Sequence, residues 1–286
     1  MKYYKKIFFT TTILCIFFSS LSYSSPNKES ISNLLNLSGV SEVFELVPDL
    51  VSEGFIDGFT EEMSITDEEE KALLNDIKQS FNSSIFQNSI QLIIEAGLNE
   101  GELATLLKWY ESDLGMLITK VEIKSSTDSA YNEVMKNAVT LMKDTKRLEM
   151  AKRIDKLLDE TSKMMKLQKK IGLSVYAGIV SSLEPSESHK LIAEYEAEIA
   201  DMDDMLRAGL QQYIYASFIY TYQDINDSDM EKYELFLGLN ASQKFGDAVI
   251  NGIEDGFDEA ISILTKKMAS TLRTIIDRSV SEANQE

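Results

Sequence analysis

Apolar residues recur at helical spacing along most of this chain. Ala72, Leu73, Ile77, Phe81, Ile85 and Phe86 form one such stripe, the pattern that buries one face of an amphipathic helix. Continued along the sequence, it predicts helices near 29–37, 40–64, 66–96, 99–110, 113–124, 128–159, 161–183, 187–223, 229–239 and 243–280, the last with a break near Lys266. Helix starts are written in side-chain chemistry. Thr66-Asp67-Glu68-Glu69 and Ser228-Asp229-Met230-Glu231 read as capping boxes, in which a hydroxyl takes the third amide and the acid reaches back. Asn99 followed by Glu102 is a variant with another good cap residue. One segment, Tyr213 to Tyr222 (YIYASFIYTY), is rich in strand-favouring residues, yet its place among helical neighbours assigns it to a helix. Only Pro26, Pro48 and Pro185 interrupt the chain, and proline costs about 3 kcal/mol inside a helix. Long helices are therefore expected, in an all-α bundle.

The first residues follow a different pattern. Lys2, Lys5 and Lys6 precede an apolar run from Ile7 to Phe18, then small and polar residues from Ser19 to Ser25. This order is that of a secretory signal peptide, with Ser22-Tyr23-Ser24 placing the cut after Ser24. The run is shorter than the ~20 residues of a spanning helix. The only cysteine, Cys15, lies inside it. The mature chain is then expected to lack cysteine, which removes disulfides, thiolate nucleophiles and cysteine zinc sites. A periplasmic or secreted location follows, with no membrane-spanning segment in the mature chain.

The two halves resemble each other. LNEGEL (Leu98 to Leu103) precedes Leu106, Leu107, Trp109 and Tyr110, then Ser112 and Gly115. INDSDM (Ile225 to Met230) precedes Tyr233, Phe236, Leu237 and Leu239, then Ser242 and Gly246, with three extra residues before the serine. Upstream, LVSEGFIDGF (Leu50 to Phe59) resembles LSVYAGIVSSL (Leu173 to Leu183). A repeat of over 100 residues is too long for a solenoid and fits a duplicated helical domain. The expected organisation is a signal peptide over 1–24, a first helical unit over 25–142, a basic amphipathic connection over 143–170 and a second unit over 171–286.

The run Glu102-Leu103-x5-Trp109-Tyr110-x-Ser112-x-x-Gly115 resembles the core motif of the bacterial exported domain-of-unknown-function family 2059, most clearly over 66–125 and more weakly over 187–262. Asp113 stands where that family usually has proline, and the second copy carries an extra residue between Ser242 and Gly246. The resemblance implies a helical exported protein and no particular activity. Physically, the motif reads as a helix–turn–helix corner. Ser112 caps the next helix, Gly115 permits close approach at about 1 kcal/mol of helix propensity, and Trp109 and Tyr110 staple the two helices.

Charge narrows the functional classes. The chain has 28 basic and 47 acidic residues. Without the three signal lysines the charge is −22, which disfavours nucleic acid, whose binding rests on neutralised phosphates. The segment Lys143 to Lys170 stands apart, with ten basic against five acidic residues. It reads as an amphipathic connector whose basic face complements the acidic remainder, or as a docking face for an acidic partner or anionic lipid, with Lys152, Arg153 and Lys156 as its candidate residues.

Catalytic signatures are sparse. His189, the only histidine, follows Ser186, which reads as an N-cap, and no nucleophile and orienting acid accompany it. The acids Glu194, Glu196, Glu198, Asp201, Asp203 and Asp204 lie on a predicted helix without the glycine of a calcium loop. There is no phosphate loop, dinucleotide fingerprint, HExxH or GxSxG. No catalytic, metal or cofactor residues are assigned, and no enzyme is expected. The chain reads first as a non-catalytic envelope binding or protein-interaction module, with an envelope protein as partner. The alternative is a carrier of an apolar ligand in a groove lined by Met164, Met165, Met202, Met205 and Met230 with Tyr213, Tyr215, Phe218, Tyr220 and Tyr222. The third reading is a hydrolase working with two carboxylates alone, which would need a pair of acids with displaced pKa values in one concave pocket.

Overall fold

The computed structural model describes residues 26–45, 47–49, 51–52, 65–183 and 186–283. The predicted signal peptide, Cys15 and most of 50–64 lie outside them. Helices α1 (Lys28–Leu37), α2 (Asp67–Ser80), α3 (Ser83–Gly97), α4 (Glu100–Tyr110), α5 (Asp113–Ser125) and α6 (Asp128–Leu141) are followed by α7 (Thr145–Leu158), α8 (Glu160–Leu183), α9 (Ser188–Asp201), α10 (Asp203–Thr221), α11 (Asp227–Leu237) and α12 (Asn240–Ala283). Among the described residues there is no strand. The expected all-α bundle is what forms, and Tyr213 to Thr221 is helical as expected.

The caps set most of the boundaries. Thr66 and Glu69 form the expected box, with the Glu69 amide donating to Thr66 Oγ1 at 3.3 Å and the Thr66 amide to Glu69 Oε2 at 2.7 Å. Asn99 and Glu102 do the same, at 3.0 Å in each direction. The second predicted box is displaced. Asn226, not Ser228, caps α11, accepting from the Asp229 amide at 3.1 Å. Ser186 is likewise not a cap; α9 starts after Glu187 without a side-chain cap bond.

Three helices expected to be continuous are broken. The stretch 66–96 divides at Phe81 and Asn82, where the extended backbone of Asn82 separates α2 from α3. The stretch 128–159 divides because Asp144 accepts from the Arg147 amide and starts α7 afresh. The stretch 187–223 divides at Met202. The left-handed backbone of Asp159 (φ 52°) ends α7, and Asp155, buried, accepts from the amide and hydroxyl of Thr161 at 2.8 and 2.9 Å to fix the turn into α8. Conversely, α12 runs without the predicted break near Lys266.

Helix α12 is the central post. Helices α2, α3, α4, α8 and α11 pack along it, while α10 gathers α5, α6, α7 and α8 on the other side. Helices α3 and α12 approach each other closely. A Cβ on Gly252 would stand 2.7 Å from Ile90 Cα, and one on Gly256 would meet the Phe86 ring. Phe86 stacks on Phe44 at 5.3 Å and meets Phe257 edge-on at 5.2 Å. Fully buried Ile90, Ile94, Leu106 and Ile118 continue this core, each aliphatic side chain stabilising by about 1.5–3 kcal/mol.

The basic segment spans α7 and the first half of α8, and much of its charge is met within the chain. Arg153 grips Glu234 of α11 through two bonds of 2.8 Å, and Arg147 donates to the carbonyls of Gln223 and Ile225. Lys146 pairs with Asp227, Lys163 with Asp247, Lys166 with Glu254, Lys169 with Asp203, and Lys170 with Glu254 and Asp258. No described helix is long and apolar enough to cross a membrane.

Candidate functional site

The corner motif comes together as a local structure. The Gly115 amide donates to Ser112 Oγ at 3.0 Å, and the Ser112 hydroxyl donates to the Trp109 carbonyl at 2.6 Å. Gly115 is buried against the end of α4, where a Cβ would lie 2.8 Å from the Trp109 carbonyl carbon and closer still to its oxygen. Leu103 is in the core. Glu102 forms a salt bridge of 2.8 Å to Lys244 and accepts from Asn240 at 2.9 Å, tying α4 to the start of α12; the Lys244 ammonium holds its carboxyl below the usual range.

The second set of motif residues meets the first face to face. Trp109 stacks on Phe236 at 4.3 Å and on Tyr233 at 5.9 Å, and Tyr110 meets Phe236 and Phe245 edge-on. Trp109 and Tyr110 thus staple α4 to α11 and α12 rather than to α5. The two segments can also be counted from their helix caps. Helix α12 begins at Asn240, so the interval from Asn226 to Asn240 equals that from Asn99 to Asp113. Ser242, buried in the first turn of α12, then occupies the register of Gly115 rather than of Ser112. Gly246 has open space around it, with nothing within 4 Å of a Cβ.

Beside this stack lies a carboxylate that the sequence reading passed over. Glu122, on α5, accepts hydrogen bonds at Oε1 from the hydroxyls of Tyr222 (2.7 Å) and Tyr233 (2.6 Å). Its Oε2 has no hydrogen-bond partner among the described residues, and no described lysine or arginine forms a salt bridge with it. The side chain is half-buried, and two cavities border it. One, of about 230 Å³, is walled by apolar side chains that include Val40, Val43, Phe44, Val249 and Ile253. The other, also about 230 Å³, is lined by Ser125, Ser126, Ser217, Thr221, Phe218, Tyr222 and Tyr233, and by a second carboxylate, Glu160.

Both carboxyls are displaced upward. Burial raises Glu122, against the lowering effect of the two tyrosine bonds. Burial also raises Glu160, with Lys163 opposing and Asp155 assisting. Burial and the Glu122 charge push the hydroxyls of Tyr110, Tyr222 and Tyr233 upward as well, so all three remain protonated donors. Two half-buried acids with raised pKa values lining one concave site mark a candidate functional site. The signal in the sequence was faint: Glu122 falls four residues after buried Ile118, on the face where an apolar residue is expected.

The other candidates stay apart from this site. Lys152 pairs with Glu149 of its own helix, Arg153 is bound to Glu234, and Lys156 is exposed and forms no salt bridge among the described residues. His189 is exposed. No described group of three or more His, Cys, Asp or Glu side chains converges as a metal site would require, the acids around Glu194 to Asp204 included. The methionines do not form one groove: Met165 and Met230 are buried in the core, whereas Met202 and Met205 are exposed at 38% and 63%. Tyr222 and Phe218 instead line the Glu122 cavity. A cleft of about 470 Å³ between α7 and α11 is lined by Lys146, Arg153, Asp227 and Glu234, which neutralise one another.

Searches against protein-family models, curated proteins and solved structures match nothing to this chain.

Proposed function

We propose that this chain is an exported, non-catalytic binding protein built from two related helical units, and that it holds a small ligand in the cavity around Glu122. The observation that carries the reading is the carboxylate itself. Burial disfavours the ionised form of this carboxyl, and here one oxygen takes two tyrosine hydroxyls while the other has no hydrogen-bond partner among the described residues.

The two-unit reading supports a ligand role. The corners at α4 and α11 share an asparagine cap, a helix of the same length and the same interval to the next helix. In that register Val249 stands where Glu122 does, Leu106 where Tyr233 does, and Gly252 where Ser125 does. One corner therefore packs with apolar side chains and glycine, and the architecture does not require the polar version. The test is native mass spectrometry of the gently purified protein. A bound small molecule lost on Ser125→Phe, which fills the Ser-lined cavity, supports the reading; a bare chain, with a cavity that accepts no ligand, refutes it.

The pairing of Glu122 with Glu160 favours one second reading, a hydrolase using two carboxyls. Turnover of a glycoside substrate abolished by both Glu122→Gln and Glu160→Gln would establish it. The interaction reading keeps Lys152 and Lys156 as its probes, because reversing Arg153 would also break the α7–α11 clamp. The family resemblance of the corner motif agrees with a helical exported protein and adds no mechanism.

A further inference from the structure

We infer that the ligand of the Glu122 cavity is an organic ammonium ion, its charged head seated against Glu122 Oε2 and Glu160 and its apolar body lying over Phe218 and Leu158. This inference rests on the ligand-binding reading above and names its chemical class.

Four observations converge. First, the cavity contains two carboxyl groups, and neither forms a salt bridge with a described basic residue. Their combined charge is what a cation would neutralise. Second, the walls are aromatic. Tyr222 and Tyr233 stand 5.6 Å apart between ring centres and Phe218 lies 6.2 Å from Tyr222. Ring faces attract a cation, by about 0.5–1 kcal/mol when exposed and ~2 or more when desolvated. Third, the remaining wall offers hydroxyl oxygens from Ser125, Ser217 and Thr221, acceptors for the extra N–H donors of an ammonium group. Fourth, the charge set is small for a metal. Calcium takes about six to eight oxygens and magnesium a near-octahedral set, while no third described carboxylate joins these two.

An anionic ligand would face two carboxylates, and a neutral one would leave them without a counter-ion. The Tyr222 and Tyr233 hydroxyls fix the orientation of Glu122, so the receiving oxygen is positioned before the ligand arrives. Such pre-organisation lowers the entropic cost of binding.

The test uses three probes of similar shape and different charge: benzylammonium chloride, benzyl alcohol and sodium benzoate, titrated calorimetrically into the protein. The expected result is binding of benzylammonium, at least about tenfold weaker binding of benzyl alcohol, and none of benzoate. Glu122→Gln should weaken benzylammonium at least about tenfold, the loss of one charge-assisted hydrogen bond, while leaving the circular dichroism spectrum intact. Ser125→Phe should abolish binding sterically without altering any carboxyl. Equal affinity for the alcohol, no heat with benzylammonium, or an affinity unmoved by both variants overturns the inference. A neutral or anionic molecule that copurifies and is lost on Ser125→Phe would refute the ammonium class while keeping the binding reading. A bare protein that takes none of the probes would refute both.

Discussion

Replacing Gly115 and Gly246 by alanine should move stability in opposite directions, although the sequence pattern alone aligned the two glycines. At Gly115 the added Cβ would sit 2.8 Å from the Trp109 carbonyl carbon and 3.1 Å from Tyr110 Cα. Carbon atoms pack best at about 3.5–4.0 Å, so α5 must retreat from the end of α4 by ~0.7 Å or more. Both obstacles are backbone, and no side-chain rotation relieves them. The retreat also stretches the Ser112 cap at 3.0 Å. Overpacking costs about 1–3 kcal/mol and a lost cap about 1 kcal/mol; alanine returns about 1 kcal/mol of helix propensity. The net expectation is a loss of about 1–3 kcal/mol. At Gly246 nothing lies within 4 Å, so propensity alone remains and Gly246→Ala should stabilise by up to about 1 kcal/mol. Urea unfolding followed by far-ultraviolet circular dichroism measures both. A Gly115→Ala protein as stable as its parent would show that the corner is not closed by backbone contact, and the structural account of the motif would fall.

Two further predictions concern charge. Burial raises Glu122 above its ordinary value of 4.5 in the folded chain, so folding favours the protonated form. That contribution is complete below the unfolded value and is lost as pH rises through the folded one. Glu122→Gln cannot titrate. Its melting temperature should therefore gain on the parent as pH increases above about 4.5 and level off once the folded group has ionised; the hydroxyls of Tyr110, Tyr222 and Tyr233 lose the raising effect of the Glu122 charge in the variant but, still raised by burial, stay protonated through that range in both proteins. A stability gap that is flat across that range would remove the buried-carboxyl argument. Arg153→Ala should cost on the order of 1 kcal/mol, since its clamp on Glu234 is bidentate but its own side chain is 55% exposed. Lys156→Ala, where no described partner exists, should change thermal stability by less than about 0.5 kcal/mol.

The helices were legible because their signals are local. Apolar spacing, the Thr66 and Asn99 boxes and the scarcity of proline act within one or two turns, and even Tyr213 to Thr221 became helical once flanked by helices. What the sequence hid is set by contacts distant along the chain. The break at Asp144 and the left-handed turn at Asp159 interrupt an uninterrupted apolar stripe. Ser228 resembled a cap until Asn226, two residues earlier, took the Asp229 amide. The basic run read as a docking face, yet its partners Asp227, Glu234 and Glu254 lie ~80 residues away and no local pattern announces them. Glu122 was invisible for the same reason. Its meaning comes from Tyr222 and Tyr233, about a hundred residues later.

Tyr233 connects the corner motif with the site. Its ring stacks on Trp109 and Phe236, and its hydroxyl donates to Glu122. The stack that locks α4 against α11 therefore also fixes the height of a hydroxyl over a carboxylate on α5. Trp109 does not itself line the cavity, and its indole N–H finds no acceptor among the described residues, so its contribution is packing against Tyr233. That packing is what removes rotamer freedom from Tyr233. A motif read from the sequence as a corner and a site found only in three dimensions are thus one construction. The corner closes two helices, and the closing ring carries the donor that orients the acid.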